Sequence, residues 1–404
     1  MKQFFPRWIY SHWAAALAGI GWILWDMPFV ILVLPTDFDY YFKAALRLAA
    51  GTNIYYDWMA ESVREGISSW YLYPPYFAGA LTPLTHLGLI QAKIVFACLT
   101  VLALIGVDAL LVLFRRRHFP QQSSLDWMIH ALVFFTPPTH LAIGSLQVEG
   151  ILLFLFLLML YFVEGRRSAW LIGAAFAPGV LIKLWPGPYL ASLWLVCGRR
   201  IWAPVIVLGL GFILGFTVFF GWRPQWEYVH MILPDLMGYS DPYKDNQSLS
   251  LFLLQIGSLS ETSVRLARWA ILASYFAATY ASRRALRAGD TRAIVINASL
   301  FLCVSLLVTP TAWTASHLRL LPPMILAGGL CASREPMQKA MLVMTFLSMM
   351  FYIYPQELCK KILPVWLDRY PVLYSLVLLF IIFSVLTYKT GVWERSSSQT
   401  PGKS

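Results

Sequence analysis

Residues 13–34 read WAAALAGIGWILWDMPFVILVL, and residues 35–51, which follow directly, read PTDFDYYFKAALRLAAG. The first stretch is long enough to cross the roughly 30 Å hydrocarbon core of a bilayer as a helix, which needs about 20 residues. The second stretch places Asp37 and Asp39 where such a helix would leave the bilayer and meet water. This junction predicts a helical membrane protein with an active site at the lipid surface. Chemistry on a lipid-attached substrate is the leading explanation for the two acids.

The composition indicates one polytopic membrane domain. The chain is 59% hydrophobic and 13% charged, against roughly 45–50% and about 25% in soluble domains. Apolar runs recur along all 404 residues, so we expect a single transmembrane domain over residues 1–390 and a disordered cytoplasmic tail over 391–404. The formal charge of +11 is spread in short clusters between apolar runs, which is typical of cytoplasmic loops and not of nucleic-acid binding. The five cysteines show no spacing typical of a disulfide framework or a metal site.

Basic clusters give the predicted topology. The arginines at 115–117, 166–167, 199–200 and 283–287 follow alternate crossings and mark the cytoplasmic side. The pattern predicts an all-α bundle of about twelve transmembrane helices, within a range of about 10–13, with both termini cytoplasmic and the first span retained as a signal anchor. The predicted spans are 13–34, 91–114, 127–146, 148–164, 168–182, 186–198, 201–221, 264–282, 293–310, 318–333, 338–354 and 372–388. The external loops are then 35–90, 222–263 and 355–371.

The first external loop has the pattern of an amphipathic helix. Thr36 and Asp39 have the spacing of a capping box, and Gly51 is a helix stop. One face of the predicted helix carries five apolar or aromatic residues at helical spacing, which are Phe38, Tyr41, Phe42, Ala45 and Leu48. We expect this helix, and a second one over about residues 56–66, to lie in the membrane interface.

Several motifs of the loop and the spans occur in an order that resembles glycosyltransferase family 87. They are Asp37-Phe38 followed by Tyr41, Gly51 and Tyr55; Tyr73-Pro74-Pro75 with Pro83-Leu84; Gln147; Lys183 with Pro186; Asn246-Gln247-Ser248-Leu249; and Pro310 with Trp313. The family belongs to the GT-C class of multi-span enzymes that use polyprenyl-phosphate sugars, mannosyltransferases of mycobacterial cell-envelope glycolipids among them. The chain departs from the family at two motifs: it has Leu146-Gln147-Val148-Glu149 where Gly-Gln-x-Asn is common, and Ala315-Ser316, followed by His317, where a histidine pair is common.

The resemblance implies a GT-C-like fold and a hexosyltransferase. The expected reaction moves a sugar, mannose above all, from a polyprenyl-phosphate donor to a lipid or glycan acceptor, with inversion at the sugar and an Asp as general base. It would take place on the outer, periplasmic face of a bacterial inner membrane. The alternative from a different class is a polytopic transporter or lipid flippase without bond-making chemistry.

Three residues are the candidates for catalysis. Asp37 matches the family acid and is not needed by the capping box, so it is the first candidate for the base. Asp39 is the second, although the capping box accounts for it equally well. His317 is a candidate to replace the family histidine. We expect no cofactor. The alternative is a divalent metal, because Asp37-x-Asp39 resembles the acid pair that binds Mg²⁺ or Mn²⁺ in many sugar-transferring enzymes, although two acids alone are a weak signal.

Eight further residues are the candidates for substrate binding. Lys183 and Arg319 are expected to face the donor phosphate, because a lysine among apolar spans is costly and is a functional hypothesis by default. Snorkelling from a short helix end is the alternative for Lys183. The candidates for sugar contact are Gln147, Glu149, Asn246, Gln247, Tyr41 and Tyr73. The alternatives are helix capping for Asn246, the aromatic belt of membrane proteins for Tyr41, and shaping of the loop together with Pro74 and Pro75 for Tyr73.

Overall fold

The computed structural model describes residues 7–55, 71–123, 125–238, 246–255, 257–310, 312–330, 373–374 and 376–386. Throughout this part of the chain the regular elements are helices, and no strand is present. The all-helical prediction is therefore confirmed. The second predicted helix of the first loop, the span 338–354, the loop 355–371 and the tail 391–404 lie outside the described residues.

The helices of the first half are numbered in chain order. They are α1 (Arg7–Leu32), α2 (Asp37–Ala49), α3 (Pro75–Leu81), α4 (Leu89–His118), α5 (Leu125–Phe135), α6 (Pro137–Gly144), α7 (Glu149–Glu164), α8 (Ala169–Ile182), α9 (Leu190–Cys197) and α10 (Trp202–Phe220). Short 3₁₀ turns cover Thr82–His86, Gly187–Tyr189 and Gly198–Ile201.

The second half continues with α11 (Arg223–Glu227), a π-helical turn (Tyr228–Ile232), α12 (Leu233–Gly238), α13 (Leu249–Gln255), α14 (Glu261–Ala281), α15 (Arg283–Ala288) and α16 (Thr291–Val308). A 3₁₀ segment (Thr314–Leu320) then leads into α17 (Leu321–Leu330). A last helix, α18, covers Leu376–Leu386.

The apolar helices agree with a membrane protein. Among the described residues three helical segments are long and apolar enough to cross a bilayer, Leu89–His118, Gly187–Phe220 and Thr291–Val308, and the number rises to five if two bent pairs each form one span. Other predicted spans are shorter as helices: α8 has 14 residues, about 21 Å of axis against about 30 Å of hydrocarbon. The count of about twelve spans therefore stays a prediction.

One predicted span is interrupted. The sequence pattern predicted a continuous helix over 127–146, but α5 ends at Phe135 and α6 begins at Pro137. The Pro137-Pro138 pair explains the break, because proline lacks the N–H that a continuing helix needs and excludes its predecessor from helical geometry. The chain then turns by 119° between this segment and α7. This turn brings the start of α7 back beside α2.

The predicted helix of the first loop is present as α2, while its location in the membrane interface stays a prediction. All five residues of the predicted face are buried in α2, Ala50 caps its end, and Gly51 follows with a φ of 69°. The helix packs between α3 and α4, with the Phe38 ring packed against that of Phe96 at a centroid distance of 4.8 Å and an interplanar angle of 31°. Its N-terminus is fixed by the backbone N–H of Asp37, which donates to the carbonyl of Ser145 at 2.9 Å. The first residue of α2 is therefore held against the turn that leads into α7.

Candidate active site

A cavity of about 520 Å³ opens where α2, the segment 183–188 that follows α8, α14, α16 and the segment 314–320 meet. Its volume is in the range typical of small-molecule sites, about 300–1,000 Å³. Six of the predicted site residues line it, namely Asp37, Tyr41, Tyr73, Gln147, Lys183 and Arg319. The lining combines this polar end with an apolar side made by Leu233, Leu236, Leu272, Val304 and Val308. The predicted polar residues thus converge although they are far apart in sequence.

Asp37 is the carboxylate at the polar end. Its side chain is half-buried, accepts a hydrogen bond from Gln147 and lies in the field of the Lys183 ammonium. Burial dominates and raises the pKa of Asp37 from 3.8 to about 6. Asp37 follows the predicted span 13–34 and lies at the 53° bend between α1 and α2. A carboxyl group with a pKa near neutrality is suited to accept a proton from an alcohol.

The turn before α7 positions the partner of Asp37. Leu146 has a φ of 48°, in the left-handed region that a leucine seldom adopts and a glycine adopts freely. The backbone N–H of Gln147 closes the turn by donating to the carbonyl of Ala142 at 2.8 Å. Such backbone strain, about 1–3 kcal/mol, persists where surrounding contacts enforce it. The turn places Gln147 beside Asp37 in the cavity wall.

Asp39 has a different environment, although it lies two residues away. Its Oδ2 accepts from the backbone N–H of Thr36 at 2.6 Å and from the Thr36 hydroxyl at 3.0 Å. Its Oδ1 pairs with the Lys93 ammonium at 3.0 Å. The predicted capping box is therefore confirmed, and Asp39 is absent from the cavity lining. A catalytic role for Asp39 has no support in this geometry.

Glu149 lies behind the cavity as the centre of a buried ion cluster. Its carboxylate is completely buried and accepts from the Lys183 ammonium at 2.5 Å and from the Arg319 guanidinium at 3.0 Å. The hydroxyl of Ser316 donates to it at 3.2 Å. The guanidinium lies over the Trp185 ring, 4.2 Å from its centroid. Glu149 is thus occupied by protein groups, and the structure does not place it in the cavity lining as a sugar ligand.

The two predicted tyrosines form part of the same wall. The hydroxyl of Tyr41 donates to that of Tyr73 at 2.9 Å, and the Lys183 ammonium lies 5.2 Å from the centroid of the Tyr73 ring. A cation this close to the face of a ring is attracted by its quadrupole. The Tyr73 ring therefore helps to hold the Lys183 ammonium at the cavity wall.

Asn246, Gln247 and His317 lie outside the lining. The Asn246 side-chain oxygen accepts from the backbone N–H groups of Ser248 and Ala312, both at 3.0 Å. The Gln247 N–H donates to the Ala312 carbonyl at 2.7 Å, so this segment holds the chain next to the cavity. His317 is buried with its Nδ1 3.1 Å from the Trp313 carbonyl, and burial lowers its pKa to about 4. The imidazole is neutral at pH 7. The contacts of Asn246, Gln247 and His317 position the chain beside the cavity, and their roles in substrate binding or catalysis stay predictions.

Sequence reasoning missed two residues of the wall. Arg268 of α14 lines the cavity and donates from Nε to the Val308 carbonyl at 2.8 Å. Trp185 lines it too and carries the Arg319 guanidinium on its ring. An arginine inside a predicted span was a signal for Arg268, because such a charge is costly in lipid. Trp185 gave no signal, because tryptophan is ordinary at membrane interfaces.

Comparison with known proteins decides the family. The model of glycosyltransferase family 87 matches residues 71–310, which is more than half of the chain. The chain belongs to glycosyltransferase family 87. It is 26% identical over 353 residues to the polyprenol-phosphate-mannose-dependent alpha-(1-2)-phosphatidylinositol mannoside mannosyltransferase of Mycobacterium tuberculosis, covering 82% of this chain and 78% of that protein. No solved structure matches the chain.

This family 87 glycosyltransferase is therefore a membrane protein of a sugar-transferring family, as predicted. The matched region begins at residue 71 and ends at residue 310, so it contains Gln147 and Lys183 but neither Asp37 nor Arg319. The cavity joins these four residues in one wall. The geometry thus connects the acid of the first loop to the part of the chain that carries the family match.

Proposed function

We propose that this protein transfers a sugar, mannose above all, from a polyprenyl-phosphate donor to a lipid or glycan acceptor, with Asp37 as the general base. The relative from Mycobacterium tuberculosis is named for a polyprenol-phosphate-mannose donor and a mannoside acceptor. The observation that supports the reaction most is the cavity, which places the Asp37 carboxylate and the Lys183 ammonium in one wall.

The reaction needs a proton acceptor on one side of the sugar. The acceptor hydroxyl attacks the anomeric carbon, the bond from that carbon to the phosphate oxygen breaks, and the Asp37 carboxylate takes the hydroxyl proton. A single displacement inverts the sugar configuration, so one base is enough. A positioned base contributes typically about 10²–10⁴-fold to such a step.

The reaction also needs positive groups for the departing phosphate. Lys183 is the lining cation whose charge acts on Asp37, and its side chain is 28% exposed, whereas that of Arg319 is 2% exposed. Arg268 lies farther along the wall, beside the apolar side chains of α14 and α16. A phosphate between these cations would leave an isoprenoid chain beside Leu272 and Val304. The amphiphilic lining thus supports a lipid-phosphate donor.

Membership of a glycosyltransferase family removes the support for a transporter or flippase. The proposal further places the site on the outer face of a bacterial inner membrane, with both termini cytoplasmic, because the arginine clusters at 115–117 and 166–167 lie at the helix ends opposite to the cavity, after α4 and α7.

The test is a donor and acceptor screen with the purified full-length protein in liposomes. Radiolabelled polyprenyl-phosphate mannose, polyprenyl-phosphate glucose and a nucleotide sugar are each supplied with lipids extracted from bacterial envelopes. We expect label to pass from polyprenyl-phosphate mannose into a glycolipid, with inversion measured by NMR of the product. Transfer from the nucleotide sugar alone, or movement of donor across the bilayer without a new bond, contradicts the proposal.

A further inference from the structure

Glu149 holds two cations at once. Its Oε1 lies 2.5 Å from the Lys183 ammonium and 3.0 Å from the Arg319 guanidinium, while its Oε2 accepts from the same guanidinium at 3.1 Å. The side chains of Glu149 and Arg319 are 0% and 2% exposed, whereas that of Lys183 is 28% exposed, so the contact with Arg319 is the one best shielded from solvent. The cluster of two cations and one anion carries a net charge of about +1. Removal of the anion would leave two like charges buried together.

The cluster reaches the cavity mainly through Lys183. The ammonium contacts the Glu149 carboxylate and also the face of the Tyr73 ring, 5.2 Å from the ring centroid. Arg319 is held by the carboxylate and by Trp185. A lysine side chain is long and flexible by itself. The contacts with Glu149 and Tyr73 therefore restrain the position of the Lys183 ammonium.

The Asp37 carboxylate is the other acid close to this ammonium. It is bonded to Gln147 and feels the charge of Lys183, yet within the described part of the chain Lys183 pairs with Glu149 and not with Asp37. Two opposite charges a few ångströms apart attract strongly where water is scarce. A base in direct contact with an ammonium is weakened, because its pKa falls by about 1–3.

We infer that Glu149 is a positioning residue that holds the Lys183 ammonium in the cavity wall and keeps it out of a direct ion pair with Asp37. The inference rests on the proposed function, in which Asp37 is the base and Lys183 faces the donor phosphate. It assigns Glu149 a role distinct from the sugar contact expected from its position in the sequence. The Asp37 carboxylate is thereby left free for the acceptor hydroxyl.

Other groups also act on Asp37, and none of them substitutes for Glu149. The ionisable groups that act on it are Asp39 on its own helix, which pairs with Lys93 of α4, together with Lys183, Tyr41 and Tyr73. Lys183 is the cation whose charge lowers the pKa of Asp37, and Asp39 raises it. A change at Glu149 therefore acts through Lys183.

The experiment measures kcat/KM for mannose transfer from polyprenyl-phosphate mannose as a function of pH. The acid limb of this profile is its low-pH side, where activity falls because the base becomes protonated. In Glu149→Gln the ammonium is released toward Asp37, so we expect the limb to move to lower pH by about one unit or more. In Lys183→Gln the cation is lost, so the limb moves in the opposite direction. A merely structural role of Glu149 lowers activity at every pH and leaves the limb in place.

Glu164→Gln is the matched control. Glu164 lies at the other end of the same helix, is equally buried as a side chain, and also pairs with two basic residues, Arg117 and His118. Its substitution removes a buried carboxylate with two basic partners away from the cavity, although the Arg117 side chain is 43% exposed. The acid limb of this variant should stay where it is in the wild type.

The double variant Glu149→Gln with Lys183→Gln covers the case in which the single Glu149 variant fails to fold. It removes one charge of each sign, so it leaves no additional buried charge. If Glu149 acts through Lys183, the limb of the double variant coincides with that of Lys183→Gln. A limb that differs, or an unmoved limb in a folded Glu149→Gln protein, overturns the inference. A wild-type protein that transfers no sugar from any polyprenyl-phosphate donor overturns the proposed function instead.

Discussion

Replacement of Asp37 by asparagine should inactivate the protein and stabilise it. The amide has nearly the same shape but accepts no proton, so we expect kcat/KM for sugar transfer to fall about 10²–10⁴-fold. In the wild type the carboxylate form is needed, and burial raises the pKa of Asp37 to about 6. Activity should therefore rise about tenfold per pH unit up to that value and level off above it.

The stability gain follows from the same shift. The pKa of Asp37 is higher in the fold than its ordinary 3.8, so ionising this group costs the folded state free energy. The cost is absent below the ordinary value, grows between the two values and is complete above the raised one. A shift of about two units corresponds to at most about 3 kcal/mol. Partial exposure and the loss of a favourable charge at a helix N-terminus, about 0.3–1 kcal/mol, reduce the gain to about 1–2 kcal/mol.

Two assays on purified protein check these values. Sugar transfer from radiolabelled polyprenyl-phosphate mannose gives kcat/KM between pH 5 and pH 8, and thermal unfolding in detergent gives the stability difference between variant and wild type. The gain should be present at pH 8 and absent near pH 4. An Asp37→Asn variant that keeps more than a tenth of wild-type kcat/KM would refute the base assignment. A gain that is equal at both pH values would refute the argument from burial.

Three further outcomes follow from the contacts of neighbouring groups. Asp39→Asn should lower the free energy of unfolding by about 1 kcal/mol, through the loss of its cap and its ion pair with Lys93, while kcat/KM at pH 8 stays within about threefold of wild type; a larger kinetic loss speaks against a structural role. Asn246→Ala should lower the free energy of unfolding by about 1–3 kcal/mol, because the backbone N–H of Ala312 loses its hydrogen-bond acceptor. A change in the thermal unfolding temperature too small to measure would contradict this. Exhaustive EDTA treatment should leave transfer unchanged, because Asp39 is occupied by Lys93 and the two acids of α2 do not share a site; recovery of lost activity by Mg²⁺ or Mn²⁺ would show otherwise.

Local patterns in the sequence predicted local structure well. The capping box at Thr36 and Asp39, the buried face of α2 and the stop before Gly51 all appear as expected, because each depends on residues within a few positions of one another. Helix bounds at α4, α7 and α10 also lie within a few residues of the predicted spans, since a long apolar run has few alternatives in lipid. The prediction of a continuous helix over 127–146 was wrong, because it followed the apolar run and disregarded the helix-breaking Pro137-Pro138 pair.

The sequence predicted only some of the contacts between the site residues. The sequence order of Asp37, Gln147 and Lys183 resembled a family, and the structure brings these residues into one cavity wall. The contacts of Glu149 with Lys183 and Arg319 join positions 34 and 170 residues apart, and no periodicity within a single chain encodes such a pairing. A polar residue at a predicted helix end indicates that it has a role; whether its partner is a sugar or another side chain depends on packing between helices.

The two acids of the first loop show how the fold assigns chemistry. Successive residues of an α-helix are rotated by about 100°, so side chains two positions apart point about 200° away from each other. Asp39 is therefore directed to Thr36 and to Lys93 of α4, where its charge is neutralised. Asp37 is directed to the opposite side, where burial raises its pKa and Gln147 is its hydrogen-bond donor. A shift of α2 by one residue would move both acids off these partners. The bond between the Asp37 N–H and the Ser145 carbonyl opposes such a shift, so the helix start itself decides which acid faces the cavity.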